Sequence, residues 1–184
     1  MLGEKGNLRP WLYTGPTLLI LGFFLVYPSV ATFRLSFLDA NSEEFVGIQN
    51  YIYAFTSPDM LEAYSNNLQW LILFPTIVVS GGLVFAVLVD KVEYESIAKS
   101  LVFLPQAISF VGAGVIWKFV YDFRANVGLL NAIITGLFPD VQSIGWLVNS
   151  DLATYALIVI AVWMWMGYSM VIFSAAIKDI PEEV

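Results

Sequence analysis

Uncharged hydrogen-bonding and aromatic side chains gather where a chain this oily has no charge to spare. Near the C-terminal end, Trp165, Tyr168 and Ser169 fall on one helical face by i, i+3, i+4 spacing. Trp163, Gly167, Met170 and Ser174 fall on another. Gln106 and Ser109, just after Pro105, offer similar groups from an earlier segment. Rings of this kind stack on the apolar face of a hydroxylated solute, while amide and hydroxyl groups bond its oxygens. The candidates for contact with a neutral, hydroxylated solute are therefore Gln106, Ser109, Trp163, Trp165, Tyr168 and Ser169. The competing reading is helix–helix packing in which these donors and acceptors satisfy one another.

Other chemistries are excluded more firmly. Cysteine and histidine are both absent. That removes thiolate nucleophiles and metal sites, as well as the commonest general base. No Walker A loop, HExxH helix or GxSxG elbow is present, so no catalytic residue, cofactor or metal ligand is expected. If the chain takes part in uphill transport, another polypeptide must supply the energy. A net charge of −7 and the lack of a basic patch argue against nucleic acid.

These groups must be positioned by four long charge-free runs, 10–33, 63–89, 100–117 and 152–177. The hydrocarbon core of a bilayer is about 30 Å thick, and a helix of about 20 apolar residues crosses it. The third run reaches that length if Lys99 and Lys118 extend their stems outward. Only 12% of residues are charged and 59% are hydrophobic, against about 25% charged in soluble domains. The expected architecture is an all-α polytopic membrane protein with four transmembrane helices plus interfacial helices. Backbone polar groups in hydrocarbon must pair within the segment, which favours helix over strand. No Asp, Glu, His or Lys lies inside the runs, so a proton relay is not expected.

Basic residues favour a cytoplasmic N-terminus. Lys5, Arg9, Lys91, Lys99 and Lys178 would lie inside, and Arg34, Lys118 and Arg124 outside. The first run is longer than the apolar core of a signal peptide and reads as a retained anchor. Trp11 and Tyr13 would mark its inner interface. Tyr64, Trp70, Trp117, Tyr121, Trp146 and Tyr155 would form outer belts. Residues 1–63 are expected to form an N-terminal transmembrane helix and a first outer connection containing an interfacial helix. Residues 64–184 are expected to form a second unit with spans at about 64–89, 98–120 and 152–177. The short charged link between its first two spans predicts antiparallel neighbours. Residues 127–134 predict a surface helix, and Asn149, Ser150 and Asp151 a cap on the last span. Prolines 16, 28, 75 and 105 sit within the runs and predict bends. Gly82/Ala86 and Ser109/Ala113 have the spacing of close-packed faces.

Several motifs carry a resemblance. They are Phe103-Leu104-Pro105-Gln106-Ala107-Ile108-Ser109, Val115-Ile116-Trp117-Lys118-Phe119, Gly128-Leu129-Leu130-Asn131 and Gly145-Trp146-Leu147, followed by the stretch from Trp163 to Val184. Together, in this order, the chain resembles the membrane permease subunit of binding-protein-dependent ABC sugar importers, of the maltose and alpha-glucoside type. The resemblance implies part of an ABC importer type I permease fold in the bacterial inner membrane. It implies a second permease subunit, ATP-binding cassette ATPase subunits and an extracytoplasmic sugar-binding protein as partners. It also implies that Lys178, Asp179, Ile180, Pro181, Glu182 and Glu183 lead into a coupling helix that docks on the ATPase. Proline at a first helical position with acids after it reads as a helix start, so a chain ending there is expected to be truncated. The alternative is a non-transporting membrane scaffold or assembly subunit whose small-residue faces only pack helices.

Overall fold

The computed structural model describes residues 9–90 and 92–180, and among them helix is the only regular secondary structure. Contacts divide the chain into two units, 1–63 and 64–184.

In the first unit, α1 (Arg9–Leu21) continues through a π-helical turn (Gly22–Val26) into α2 (Tyr27–Leu35). Pro28 has no N–H to give the Phe24 carbonyl, and a wider turn just before it accommodates that gap. The hydroxyls of Thr14 and Ser29 donate to the carbonyls of Pro10 and Leu25, 2.8 and 2.6 Å away. The whole segment, Pro10–Leu35, is long and apolar enough to cross a membrane. The chain then turns through a tight loop. The Asp39 carboxylate accepts from the backbone N–H groups of Glu43 and Glu44 at 2.8 and 3.0 Å. Those two donors hold its pKa below the ordinary carboxylate value. The expected interfacial helix is α3 (Gln49–Thr56). It is tied to the end of α2 by Asn50, whose amide donates to the carbonyls of Ser36 and Leu38 at 2.8 and 2.7 Å. The hydroxyls of Ser36 and Tyr51 share a further bond of 2.7 Å.

Helix α4 (Pro58–Val89) begins earlier than the charge-free run, because Pro58 and Asp59 supply a helix start ahead of the apolar stretch. Its 32 residues make it about 48 Å long, more than the hydrocarbon requires.

In the second unit, α5 (Glu95–Phe103), a 3₁₀ turn (Leu104–Ala107) and α6 (Phe110–Val120) replace the single third span. The two arms meet at 102°. Pro105 cannot donate to the carbonyl a turn behind it, and Ser109 restarts the helix by accepting from the Gly112 N–H at 3.1 Å. Surface helix α7 is Leu129–Leu137. Helix α8 (Ser150–Lys178) is capped by Asn149, whose side chain accepts from the Asp151 N–H at 2.9 Å. Its acid at the start and Lys178 in the last turn both complement the helix dipole. Among the described residues, three helical segments are thus long and apolar enough to span a bilayer, and the bent pair would be a fourth.

Small residues decide the packing. A Cβ on Gly167 would lie 2.4 Å from the Val102 carbonyl oxygen, so α8 rests directly on the backbone at the end of α5. A Cβ on Gly82 would lie 2.4 Å from Ser169 Oγ, which marks the crossing of α4 and α8. Gly82 and Ala86 are both buried, as their spacing predicted. Of the second pair only Ala113 is buried; Ser109 is exposed, with its hydroxyl capping α6. Helix α5 packs chiefly on α8, not on α4, its neighbour in sequence. Lys99, expected to reach outward, instead donates to Glu95 one turn back and to Ser174 Oγ on α8. Lys178 also donates to Glu95, at 2.5 Å, so one carboxylate joins the two helices.

The connection before α8 is organised by Asn131, which is fully buried. Its amide donates to the carbonyls of Asp122 and Ile144, both at 2.9 Å, and its Oδ1 accepts from the Ile144 N–H at 2.8 Å.

Candidate functional site

The break between α5 and α6 opens a cleft of about 280 Å³ against the middle of α8. Gln106, Ile108, Ser109 and Phe110 line it from the break, and Met164 and Trp165 from α8. The break itself explains the cleft. A straight helix would have buried its carbonyls in its own ladder and pressed its side chains onto α8. The 3₁₀ turn Leu104–Ala107 stays packed on α8, while the 102° turn carries α6 off the line of α5 and leaves a gap beside it. Its lining carries no charged side chain.

The Oε1 of Gln106 is buried and has no hydrogen-bond partner. Leaving an acceptor dry in this way costs about 1–3 kcal/mol, which a ligand hydroxyl would recover. Ser109 Oγ already accepts from Gly112, yet its own O–H remains available to donate. Trp165 is partly exposed and meets the ring of Tyr168 edge to face, centroids 6.1 Å apart. The two rings extend the wall of the cleft along α8. An acceptor, a donor and an apolar ring together can hold one hydroxylated, uncharged ring.

The six sequence candidates thus separate. Gln106, Ser109 and Trp165 come together, with Tyr168 beside them. Ser169 does not join them: it is buried beneath Gly82 at the crossing with α4. Trp163 points the other way, two residues or about 200° around the helix from Trp165, and packs edge to face on Trp117 at 5.7 Å. Of the expected coupling segment, Lys178 ends α8 and is paired with Glu95. Asp179 and Ile180 follow in a turn, with their N–H groups on the carbonyls of Ala176 and Ile177. Pro181, Glu182 and Glu183 lie outside the described residues. The lining residues that the sequence candidates missed are Ile108, Phe110 and Met164, ordinary apolar residues that become lining only because the helix breaks.

On the connection between α6 and α7, Arg124 donates to both oxygens of Asp122, at 2.9 and 2.8 Å. This charge-assisted fork holds the Asp122 carboxyl at about 2, below its ordinary 3.8.

No family model matches the chain. Individual relatives do. It is 53% identical over 177 residues to an osmoprotective compounds uptake permease protein of Synechocystis sp., covering 94% of this chain and 63% of that protein. It is 42% identical over 181 residues to an alpha-glucoside transport system permease protein of Rhizobium meliloti, covering 96% of this chain and 53% of that protein. A probable ABC transporter permease protein of Pyrococcus horikoshii is 33% identical over 177 residues. The chain therefore spans between about half and two thirds of the length of these relatives. Among solved structures, it matches a bacterial ABC transporter involved in the import of the acidic polysaccharide alginate. The TM-score is 0.71 at 20% identity, over 94% of this chain and 59% of that one. The alginate transporter in complex with its pentasaccharide-bound periplasmic protein matches with a TM-score of 0.70 at 18% identity. The resemblance carried by the sequence motifs thus holds over nearly the whole chain, which is homologous to the permeases of ABC sugar importers and shares the fold of an ABC importer.

Proposed function

We propose that the chain contributes part of the transmembrane path of an ABC importer for a neutral sugar, an alpha-glucoside or a similar glycoside. The observation that carries this reading is the 42% identity to an alpha-glucoside permease across 96% of the chain. The cleft chemistry agrees with it. An acidic sugar polymer calls for cationic side chains, and the lining has none, whereas an uncharged sugar suits one acceptor, one donor and stacked rings. In this reading Gln106 and Ser109 bond sugar hydroxyls in passage, and Trp165 and Tyr168 present ring faces. Ser169 and Trp163 act through packing. The N-terminus lies in the cytoplasm, and the protein sits in the bacterial inner membrane as a multi-pass subunit. A second permease completes the path, ATPase subunits drive it, and an extracytoplasmic binding protein delivers the sugar. Lys178 to Glu183 then lead towards the ATPase, with the Glu95–Lys178 pair fixing the direction in which α8 ends.

The test is uptake of radiolabelled alpha-glucoside by the full-length protein assembled with its partner subunits. Trp165→Ala and Tyr168→Ala should lower uptake with assembly unchanged. Gln106→Leu removes one hydrogen bond, of about 0.5–1.5 kcal/mol, and should raise the half-saturating concentration about 2- to 12-fold. Unchanged uptake in all three variants would remove the cleft from the path.

A further inference from the structure

A second cavity of about 500 Å³ lies on the other side of α8. One wall is a ladder of four aromatic rings. Trp146 meets Tyr121 at 5.9 Å, Tyr121 meets Trp117 at 4.9 Å, and Trp117 meets Trp163 at 5.7 Å. The ladder is held in place by the Tyr121 hydroxyl, which donates to the Ala156 carbonyl at 3.0 Å. Along α8 the lining runs from Leu152 to Trp163, a rise of about 16 Å at ~1.5 Å per residue. The cavity therefore begins at the end of the span, where Trp and Tyr collect at a membrane interface, and reaches its middle.

Its polar inventory is lopsided. The indole N–H groups of Trp117 and Trp146 are both buried and both lack an acceptor. The Ala156 carbonyl is already engaged by Tyr121, the phenol oxygens of Tyr121 and Tyr155 are the remaining side-chain acceptors, and the rest of the lining is aliphatic or aromatic. A sugar would bring about as many donors as acceptors, and its donors would find little to bond here. An ester brings acceptors only. We propose that this cavity is a binding site for an ester-linked membrane lipid, with an acyl chain along the aromatic ladder and ester carbonyl oxygens accepting from the indoles of Trp117 and Trp146. Each indole then regains the partner that burial otherwise denies it. The elongated, interface-to-centre shape suits a chain better than a compact ring. This site stands apart from the cleft at Gln106 and does not depend on what passes through that cleft.

The test compares two bilayers that differ only in the carbonyls. The full chain, labelled with ¹⁵N-tryptophan, is placed in nanodiscs of a diester phosphatidylcholine or of its diether analogue with the same headgroup and chain length. Trp117→Phe and Trp146→Phe assign the two indole N–H resonances. Both resonances should lie further downfield in the diester bilayer. Diester lipid should be retained over diether by about 2- to 12-fold in native mass spectrometry, as expected for one or more hydrogen bonds. The double Phe variant should retain both lipids equally. Identical indole resonances in the two bilayers would overturn the proposal, whether or not the variants fold. So would a downfield shift produced in the diether bilayer by adding an alpha-glucoside, which would assign the cavity to carbohydrate.

Discussion

Replacing Gly167 by alanine puts the packing of the cleft to a quantitative test. The added methyl would sit 2.4 Å from the Val102 carbonyl oxygen and 2.7 Å from Phe103 Cα. Ordinary contact begins at 3.4 Å, so α5 and α8 must separate by 3.4 − 2.4 = 1.0 Å at this point. Both obstacles are backbone atoms of a helix end, so no side chain can rotate away. Overpacking of this kind costs about 1–3 kcal/mol, and with backbone on both sides the upper figure applies. Alanine returns at most about 1 kcal/mol through its better helix propensity. The net loss is about 2 kcal/mol, or roughly 30-fold in the folded-to-unfolded ratio. Gly114→Ala is the matched control, because its Cβ would meet nothing within 4 Å. That variant should be neutral or up to about 1 kcal/mol more stable. Reversible unfolding in mixed micelles with a rising fraction of dodecyl sulfate measures both variants on one scale. If Gly167→Ala resists unfolding as well as Gly114→Ala, the helices are not in backbone contact and the placement of the break against α8 is wrong.

Two further outcomes follow from the connection before α8. Asn131→Ala strands the Ile144 N–H and two carbonyls in a fully buried position, and should cost about 3 kcal/mol or more in the same unfolding assay. The Asp122 carboxyl, held at about 2 from an ordinary 3.8, favours the folded connection above pH 3.8 and loses that contribution as the pH falls towards 2. Acid titration should therefore weaken the wild-type chain within that window, and Asp122→Asn should show a smaller loss there, because Asp39 and Glu95, also held below their ordinary values, still titrate.

What sequence reveals here depends on how local the cause is. The spans were legible because hydrocarbon imposes a length and a lack of charge on each segment separately. The cap at Asn149 and the surface helix near Leu129 are local for the same reason. The break at Pro105 was visible as a proline but not as a right-angled turn, since that needs Ser109 to restart the helix in a new direction. On α8, the spacing of Trp165, Tyr168 and Ser169 describes an arc of about 100°. One edge of so wide an arc can press on α4 while the other stays free, and only the position of Gly82 decides that Ser169 is the buried edge. Trp117 and Trp146 read as belt residues, and belts are usually filled by such rings; their unpaired N–H groups appear only when the ladder closes over them. The Gly128-Leu129-Leu130-Asn131 motif has a structural reason too. A Cβ on Gly128 would fall 1.9 Å from the Asp122 carbonyl oxygen, the same oxygen that accepts from the Asn131 amide.

The two cavities differ most usefully in the sign of their unsatisfied hydrogen bonds. The cleft offers an acceptor from Gln106 and a donor from Ser109, and an alcohol, which is both at once, satisfies the pair. The aromatic cavity offers two unpaired buried donors and, as side-chain acceptors, only the phenol oxygens of Tyr121 and Tyr155, so a solute with many hydroxyls leaves most of its own protons unpaired. Apolar area cannot separate the two, because rings line both. Burial makes the difference count, since an unpaired group in a water-poor site costs about 1–3 kcal/mol, enough for roughly 5- to 150-fold selectivity. The hydrogen-bonding groups of a hydroxylated solute are therefore matched better at the break than in the aromatic cavity, and neither lining carries a charged side chain.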